Sequence, residues 1–179
     1  MDMKNRLIEV QGLRKRARQH LDGGAVTAGY DADRETVLKR LNESLATEIV
    51  CVLRYRRHHF MAQGIQSKSI ADEFLVHSNE EQGHADQLAG RIVQLGGEPD
   101  FSPQGLAERS HAEYVEGAAL EDMIKEDLVA ERIAIDSYRD FIQYLDDKDS
   151  TTRRMLESIL AVEEQHADEL AGLLQAMPG

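Results

Sequence analysis

Two short motifs bring together the residue types that bind transition metals. They are Glu81 with His84 and Glu163 with His166, each of the form Glu-x-x-His. Residues three apart on a helix project from the same face, so each motif would present a carboxylate beside an imidazole. A lone motif of this kind is usually a solvated pair on a helix surface. Two copies in one chain instead indicate a common role.

The two motifs belong to a repeat that spans most of the chain. Glu48 and Tyr55 are separated by six residues, and Glu131 and Tyr138 repeat that spacing. The intervals from the isolated glutamate to the histidine of its motif are 36 and 35 residues. Two helix pairs related by an approximate twofold axis would therefore bring four carboxylates and two imidazoles to the middle of one bundle.

These six side chains are the candidate metal ligands, since carboxylates are rarely buried without a partner. They are Glu48, Glu81, His84, Glu131, Glu163 and His166. The four carboxylates carry a charge of about −4, which two divalent cations would cancel. An oxygen-rich set with one nitrogen per metal favours iron or manganese, whereas zinc usually takes more nitrogen or sulfur. The sequence thus predicts a dinuclear centre of iron, with manganese as the other choice.

Helices must position these ligands, because apolar residues recur at steps of three and four around each of them. The predicted helices cover residues 34–63, 67–95, 118–145 and 150–177, with Gly64 and Pro178 ending the first and last. Residues 97–118, which include Pro99 and Pro103, are too many for a tight turn and favour a crossover connection. The expected fold is all-α, a four-helix bundle with a long crossover between its second and third helices.

Charge divides the chain into a basic start and an acidic body. The 179 residues include 21 basic and 33 acidic side chains, for a net charge of −12. Residues 1–30 hold six basic and three acidic groups, so the remainder carries −15. We therefore expect a basic N-terminal arm over residues 1–33 and a bundle domain over residues 34–179.

The arm has three interpretations. Its cluster Arg14, Lys15, Arg16 and Arg18 has the charge to contact nucleic-acid phosphates. Alternatively, Leu7, Ile8, Val10 and Leu13 form an amphipathic contact with another subunit, or the segment is disordered.

Cysteine use and hydropathy indicate the compartment. The lone Cys51 excludes a disulfide framework and a thiolate metal cluster within the chain, which suits a reducing environment. No apolar run approaches the roughly 18 residues of a membrane span, and the start has no signal-peptide core. The expected location is the cytoplasm, without membrane contact.

Several nearby residues admit simpler interpretations. Tyr138 is expected in the core with its hydroxyl bonded, and the histidines His20, His58 and His111 are expected at the surface. His77, one turn before Glu81, is either a supplementary ligand or, as favoured here, a partly exposed histidine. Asp127 either accepts a hydrogen bond from a ligand imidazole or faces solvent.

The sequence resembles the ferritin-like superfamily, and bacterioferritins most closely, over about residues 34–175. The motifs that carry the resemblance are LATEIVCVLRY, EEQGHAD, EDLVAER and EEQHADEL. The resemblance implies a ferroxidase centre with Glu48 and Glu131 as terminal ligands, Glu81 and Glu163 as bridging ligands, and His84 and His166 as the imidazoles. It also implies a catalytic role for Tyr55, which matches the family tyrosine near the centre.

Two departures from bacterioferritins bear on haem and on assembly. Gln82 stands where a methionine holds the haem between subunits, so haem is not expected. Only thirteen residues follow His166, too few for the fifth helix of a 24-subunit cage. The resemblance therefore favours a homo-oligomeric cage of twelve subunits, like Dps-like cages that carry a bacterioferritin-type centre.

The leading functional hypothesis is ferroxidase activity coupled to iron storage or detoxification, with dioxygen or hydrogen peroxide as oxidant. One alternative is a redox enzyme that uses a di-iron or di-manganese centre without storing iron. Such an enzyme would be a peroxidase or a catalase-like enzyme. The other is a Dps-like protein that protects DNA through its basic arm.

Overall fold

The computed structural model describes residues 3–62 and 67–177, with side chains in the first helix described from Glu9 onward. The helices are α1 (Met3–Arg16), α2 (Arg34–Met61), α3 (Ser67–Gln94), α4 (Leu106–Arg109), α5 (Leu120–Leu145) and α6 (Ser150–Ala176), with a 3-10 turn at Leu21–Gly23. The described ranges contain no strand. The all-α prediction is confirmed.

The four long helices form two pairs that pack on each other. Helix α2 packs along α3 and α5 along α6, while α2 with α5 and α3 with α6 join the pairs. Helices of 26 to 28 residues are about 40 Å long at roughly 1.5 Å per residue. The predicted bundle with its crossover is confirmed; the helix ends predicted at Gly64 and Pro178 lie outside the described residues.

The crossover between α3 and α5 is fastened to the side of α2. Arg54 donates to the Glu113 carbonyl at 2.9 Å, and Arg57 donates to the Glu116 carbonyl at 2.8 Å. Gly117 has a φ of 65°, and a Cβ there would lie 2.8 Å from the Met123 backbone nitrogen. The glycine therefore lets the chain turn closely into α5, which begins at Leu120, two residues after the predicted start.

Two apolar clusters fill the bundle and leave a polar region between them. One contains Val37, Leu41, Leu45, Leu88, Ile92, Leu95, Phe141, Leu145, Leu156 and Ile159, among others. The other contains Cys51, Tyr55, Ile70, Phe74, Met123, Ile124 and Leu170, among others. Each Å² of apolar surface removed from water stabilises the fold by about 25 cal/mol, and this gain drives the packing. The candidate ligands lie between the two clusters.

The segment before α2 is part exposed and part packed. In α1 and the residues after it, Leu13 and the basic cluster that follows are exposed. Val26, Tyr30 and Ala32 instead pack against the first apolar cluster. Among the described residues, no helix combines the length and the apolar character needed to cross a bilayer.

A buried charged network ties this segment to the start of α6. Asp149 caps α6 by accepting from the Thr152 backbone nitrogen at 2.9 Å. Its two oxygens also accept from Arg91 Nη2 at 2.8 and 3.0 Å, and one accepts from the Tyr30 hydroxyl at 3.0 Å. Burial alone would raise the pKa of Asp149, but hydrogen bonds from Thr152, Arg91 and Tyr30 outweigh it and hold that pKa below its ordinary value.

We expect Asp149→Asn to lower the free energy of unfolding at pH 7 by roughly 1–3 kcal/mol, the usual cost of depriving buried groups of a charged partner. A lowered pKa favours the ionised form in the folded state. This contribution is therefore present above the ordinary pKa of 3.8 and is lost as the pH falls through the lowered value. The difference between the two proteins should shrink toward acid in urea denaturation at several pH values.

The matched control for this variant is Asp147→Asn, which changes an exposed carboxylate in the same turn. It should unfold like the wild type. Equal stability of Asp149→Asn and the wild type at pH 7 would show that the network does not hold the turn.

Candidate metal centre

The structure brings the six predicted ligands together at mid-bundle, and each is at most 5% exposed. Helix α2 supplies Glu48, α3 supplies Glu81 and His84, α5 supplies Glu131, and α6 supplies Glu163 and His166. Each lies on the stripe that its helix turns to the core, because the apolar residues around it recur at helical spacing. The polar centre is therefore built into the same pattern that folds the bundle.

One half of the centre is organised around His84. Its Nδ1 atom lies 2.9 Å from Glu163 Oε1, 3.3 Å from Glu81 Oε2 and 3.5 Å from Glu48 Oε2. One ligand atom from each of these four residues falls within 4.8 Å of all the others. The spacing suits a single metal ion.

The other half is organised around His166. Its Nδ1 atom lies 3.3 Å from Glu81 Oε1, 3.6 Å from Glu163 Oε2 and 3.9 Å from Glu131 Oε1. These four residues also offer ligand atoms within 4.8 Å of one another. The two imidazole rings are 6.4 Å apart between centroids.

Glu81 and Glu163 are common to both halves. Glu81 turns Oε2 toward His84 and Oε1 toward His166. Glu163 turns Oε1 toward His84 and Oε2 toward His166. Each carboxylate thus faces both groups with a different oxygen, whereas Glu48 and Glu131 face one group each.

The hydrogen bonding of these ligand atoms fits a metal. Of the seven buried side-chain polar atoms that lack a hydrogen bond in the described part of the chain, five belong to these residues. They are Glu48 Oε2, Glu81 Oε1, both oxygens of Glu163, and His166 Nδ1. An unsatisfied buried polar atom costs about 1–3 kcal/mol. Cations between these donor atoms would explain why the atoms converge without hydrogen bonds to each other.

Two tyrosines link the terminal glutamates across the helix pairs. Tyr55 of α2 donates its hydroxyl hydrogen to Glu131 Oε1 on α5, and Tyr138 of α5 donates to Glu48 Oε1 on α2. The bond from Tyr138 fixes Oε1 of Glu48 and leaves Oε2 facing His84, whereas Glu131 presents the same Oε1 atom to both Tyr55 and His166. Tyr138 is a buried residue with its hydroxyl bonded, as predicted, but its partner was not foreseen.

The carboxylates and imidazoles compete for protons in the metal-free site. Burial, followed by the charge of Glu81, raises the pKa of Glu48 well above its ordinary value. Burial also raises the pKa of Glu163. For His84 burial lowers the pKa, but the nearby carboxylates of Glu163, Glu48 and Glu81 outweigh it and raise the pKa to about 12. Metal ligation requires these protons to leave, so metal binding would release them.

One further carboxylate orients a candidate ligand. Glu80 Oε2 lies 2.9 Å from His166 Nε2, the ring nitrogen that faces away from the centre. A carboxylate on that nitrogen fixes the tautomer so that Nδ1 presents a lone pair. Glu80 directly precedes Glu81, and this adjacency is the only feature of the sequence that points to a role for Glu80 beside the centre.

Three predictions around the centre are wrong. His58 is completely buried rather than at the surface, because the crossover covers its end of α2. His77 is also completely buried rather than partly exposed. Asp127 neither faces solvent nor bonds a ligand imidazole, since its oxygens bind Arg54 Nε at 2.7 Å and His58 Nδ1 at 2.8 Å. His20 and His111 are exposed as predicted.

Arg54, Asp127 and His58 form a buried cluster that the sequence did not predict. All three side chains are completely buried. Asp127 lies one turn before Glu131, and Arg54 directly precedes Tyr55. The ion pair therefore sets the register of α2 against α5 next to the contact between Tyr55 and Glu131.

Comparisons with known proteins identify the family of this chain. The sequence model of the ferritin-like domain matches residues 38–179. Bacterioferritin of Mycobacterium avium is 30% identical over 142 residues, 79% of this chain and 85% of the relative. The nutrient stress-induced DNA-binding protein of a Nostoc strain is 32% identical over 141 residues, 77% of each chain.

A solved structure gives the same result. The dodecameric thioferritin of Bacteroides fragilis, a bacterioferritin-related protein, superposes with a TM-score of 0.78 at 28% identity, covering 81% of this chain and 88% of that chain. The resemblance seen in the motifs is confirmed. This chain therefore belongs to the ferritin-like domain family.

Proposed function

We propose that the chain oxidises Fe(II) at a dinuclear centre held inside each bundle. The observation that carries the proposal is that Glu81 and Glu163 each turn one oxygen to each of two overlapping ligand groups. Both carboxylates would therefore be shared by two ions. Glu48 with His84 would hold one of these ions, and Glu131 with His166 would hold the other.

The donor set supports iron as the substrate. Each ion would meet three carboxylates and one imidazole, a set that suits Fe(II) or Mn(II) better than Zn(II). Each Fe(II) loses one electron, and the two electrons with two protons reduce dioxygen to hydrogen peroxide, or hydrogen peroxide to two waters. Tyr55 is the proposed catalytic residue, since its hydroxyl contacts Glu131 beside the reacting ions.

Iron storage is the proposed purpose of this oxidation. Residues 31–179 carry a formal charge of −15, which suits the retention of ferric ions in an acidic cavity. The bacterioferritin-related protein of Bacteroides fragilis is dodecameric. We propose that this chain assembles into a cage of twelve rather than twenty-four subunits.

Removal of a ligand should abolish the reaction. After anaerobic Fe(II) loading and addition of oxidant, we expect a ferric absorbance in the wild type. In Glu81→Ala and His166→Ala the initial rate should fall by roughly 100-fold or more, since even the partners of metal ligands contribute about 10–100-fold. The measurement is stopped-flow absorbance under dioxygen and, separately, under hydrogen peroxide.

The control for these variants is Glu164→Ala. Glu164 is exposed on α6 beside Glu163 and pairs with Arg139 at the surface. Its rate should match the wild type. Wild-type rates in Glu81→Ala and His166→Ala would contradict the proposed centre.

The mass of the assembly distinguishes storage from a non-storage redox enzyme. We expect light scattering after size exclusion to give about twelve times the chain mass of 20.1 kDa. A closed shell is required to hold a mineral. A monomer or dimer would contradict the cage and favour a peroxidase or catalase-like enzyme with the same centre.

DNA binding by the N-terminal arm is a second candidate function. Arg14, Lys15, Arg16 and Arg18 are exposed, and the similar Nostoc protein is a DNA-binding protein. Opposing this, the acidic remainder of the chain repels phosphate. Any binding would therefore depend on contacts between the arm and phosphate, and would not read bases.

If the arm binds DNA, the wild type should shift a duplex in a gel at low salt. The shift should weaken steeply with added salt, because each phosphate contact releases counterions. Deletion of residues 1–18 should abolish it. An unchanged shift in the deletion variant, or none in the wild type, would exclude this role for the arm.

A further inference from the structure

A second set of ligand-type side chains lies beside the centre and belongs to neither of its halves. Glu73 and His77 are one turn apart on α3, and Glu169 faces them from α6. His77 Nε2 is 3.0 Å from Glu169 Oε2 and 3.5 Å from Glu73 Oε1. One ligand atom from each residue falls within 4.8 Å of the others. A single cation can contact all three at this spacing.

The two carboxylates of the set are partly exposed to water, whereas its imidazole is buried. The side chains of Glu73 and Glu169 are 38% and 36% exposed, while that of His77 is 1% exposed. The imidazole is therefore buried beneath two carboxylates that are partly exposed to solvent. A hydrated cation can reach the carboxylates directly from solvent.

The two ring nitrogens of His77 differ in their hydrogen bonding. Its Nε2 edge is directed at the carboxylates, while Nδ1 is buried and has no hydrogen-bond partner among the described residues. A cation bound at Nε2 requires the single ring proton to be on Nδ1. Because a carboxylate only accepts, Nε2 donates its hydrogen to Glu169 when no cation is bound, and a cation would replace that hydrogen and leave the ring proton on Nδ1.

Charge and orientation also favour a cation. Two carboxylates face one imidazole, and within the described chain no lysine or arginine pairs with Glu73 or Glu169. Gln165 Nε2 donates to Glu169 Oε1 at 2.8 Å, which fixes that carboxylate and leaves Oε2 toward His77. The negative charge is therefore in excess and already oriented.

The set is also connected to the centre. The His77 ring stacks on the His166 ring, with centroids 4.0 Å apart and planes 22° apart. His77 additionally forms a ligand-type group with Glu80 and His166, again within 4.8 Å. The stacked rings therefore join the partly exposed carboxylates to the candidate ligand His166.

We propose that Glu73, His77 and Glu169 form a third divalent-cation site, which we call the flanking site. Two carboxylate oxygens and one imidazole nitrogen suit Fe(II) or Mn(II) and leave positions for water. Binding there is weaker than at the centre and exchanges readily, as suits a site that delivers Fe(II). The site itself does not depend on the proposed function, but its delivery role does.

The test uses Mn(II), which replaces Fe(II) without being oxidised by air during crystal growth. Crystals of the full chain soaked in Mn(II) should show three anomalous peaks per subunit, two in the centre and one between Glu73, His77 and Glu169. The double variant Glu73→Gln with Glu169→Gln should lose only the third peak. No peak at the flanking site when the centre is filled would overturn the proposal.

A matched control removes the same charge from the same helices. Asp72→Asn with Asp168→Asn changes two exposed carboxylates adjacent in sequence to Glu73 and Glu169. It should keep all three peaks. Loss of the third peak in this control as well would show that general surface charge, and not a built site, attracts the ion.

Two further measurements separate this proposal from the proposed function. Glu81→Ala should empty the centre yet keep the flanking peak, so each site can fail independently. At low Fe(II), the flanking double variant should oxidise iron several-fold more slowly than its control, and the two rates should converge at high Fe(II). Equal rates at low Fe(II) would overturn the delivery role.

Discussion

The burial of four carboxylates between two apolar clusters is the constraint on which the rest of this bundle depends. An unpaired buried ion costs several kcal/mol even after the protein relaxes. Two imidazoles and two tyrosine hydroxyls offset part of this cost, yet Glu163 keeps both oxygens without a hydrogen bond. Two divalent cations would balance the charge, and the same helices that bury the glutamates would hold the ions away from water.

Two charged networks keep the bundle in register on either side of this polar layer. Arg54 with Asp127 fixes α2 against α5 and fastens the crossover, while Arg91 with Asp149 fixes the α5–α6 turn against α3. Apolar packing alone permits one helix to slide slightly along another, because the hydrophobic effect is non-directional. Hydrogen-bonded ion pairs are directional, so they hold the ligands at fixed heights along the bundle.

The sequence predicted the fold and the convergence of the six candidate ligands because both follow from helical spacing. Glu81 and His84 share a helix, so three residues of separation suffice to place them together. The partners of His58 and Asp127 were not predictable in this way, because they meet across α2, α5 and a crossover whose path has no period. The burial of His77 was not predicted for a related reason: it depends on packing against His166 of α6, which the spacing within its own helix does not reveal.

The crossed tyrosine bonds have a consequence for how the centre is divided between the halves of the chain. Tyr55 and Glu48 belong to one helix pair, but their hydrogen-bond partners belong to the other. Tyr55 donates to Glu131, and Glu48 accepts from Tyr138. Neither hairpin satisfies its own tyrosine or completes either metal group, because Glu81 and Glu163 are shared. The two helix pairs therefore contribute equivalent types of side chain to the candidate centre, and each pair needs the other to complete it. Two identical hairpins with no crossover would present the same donors.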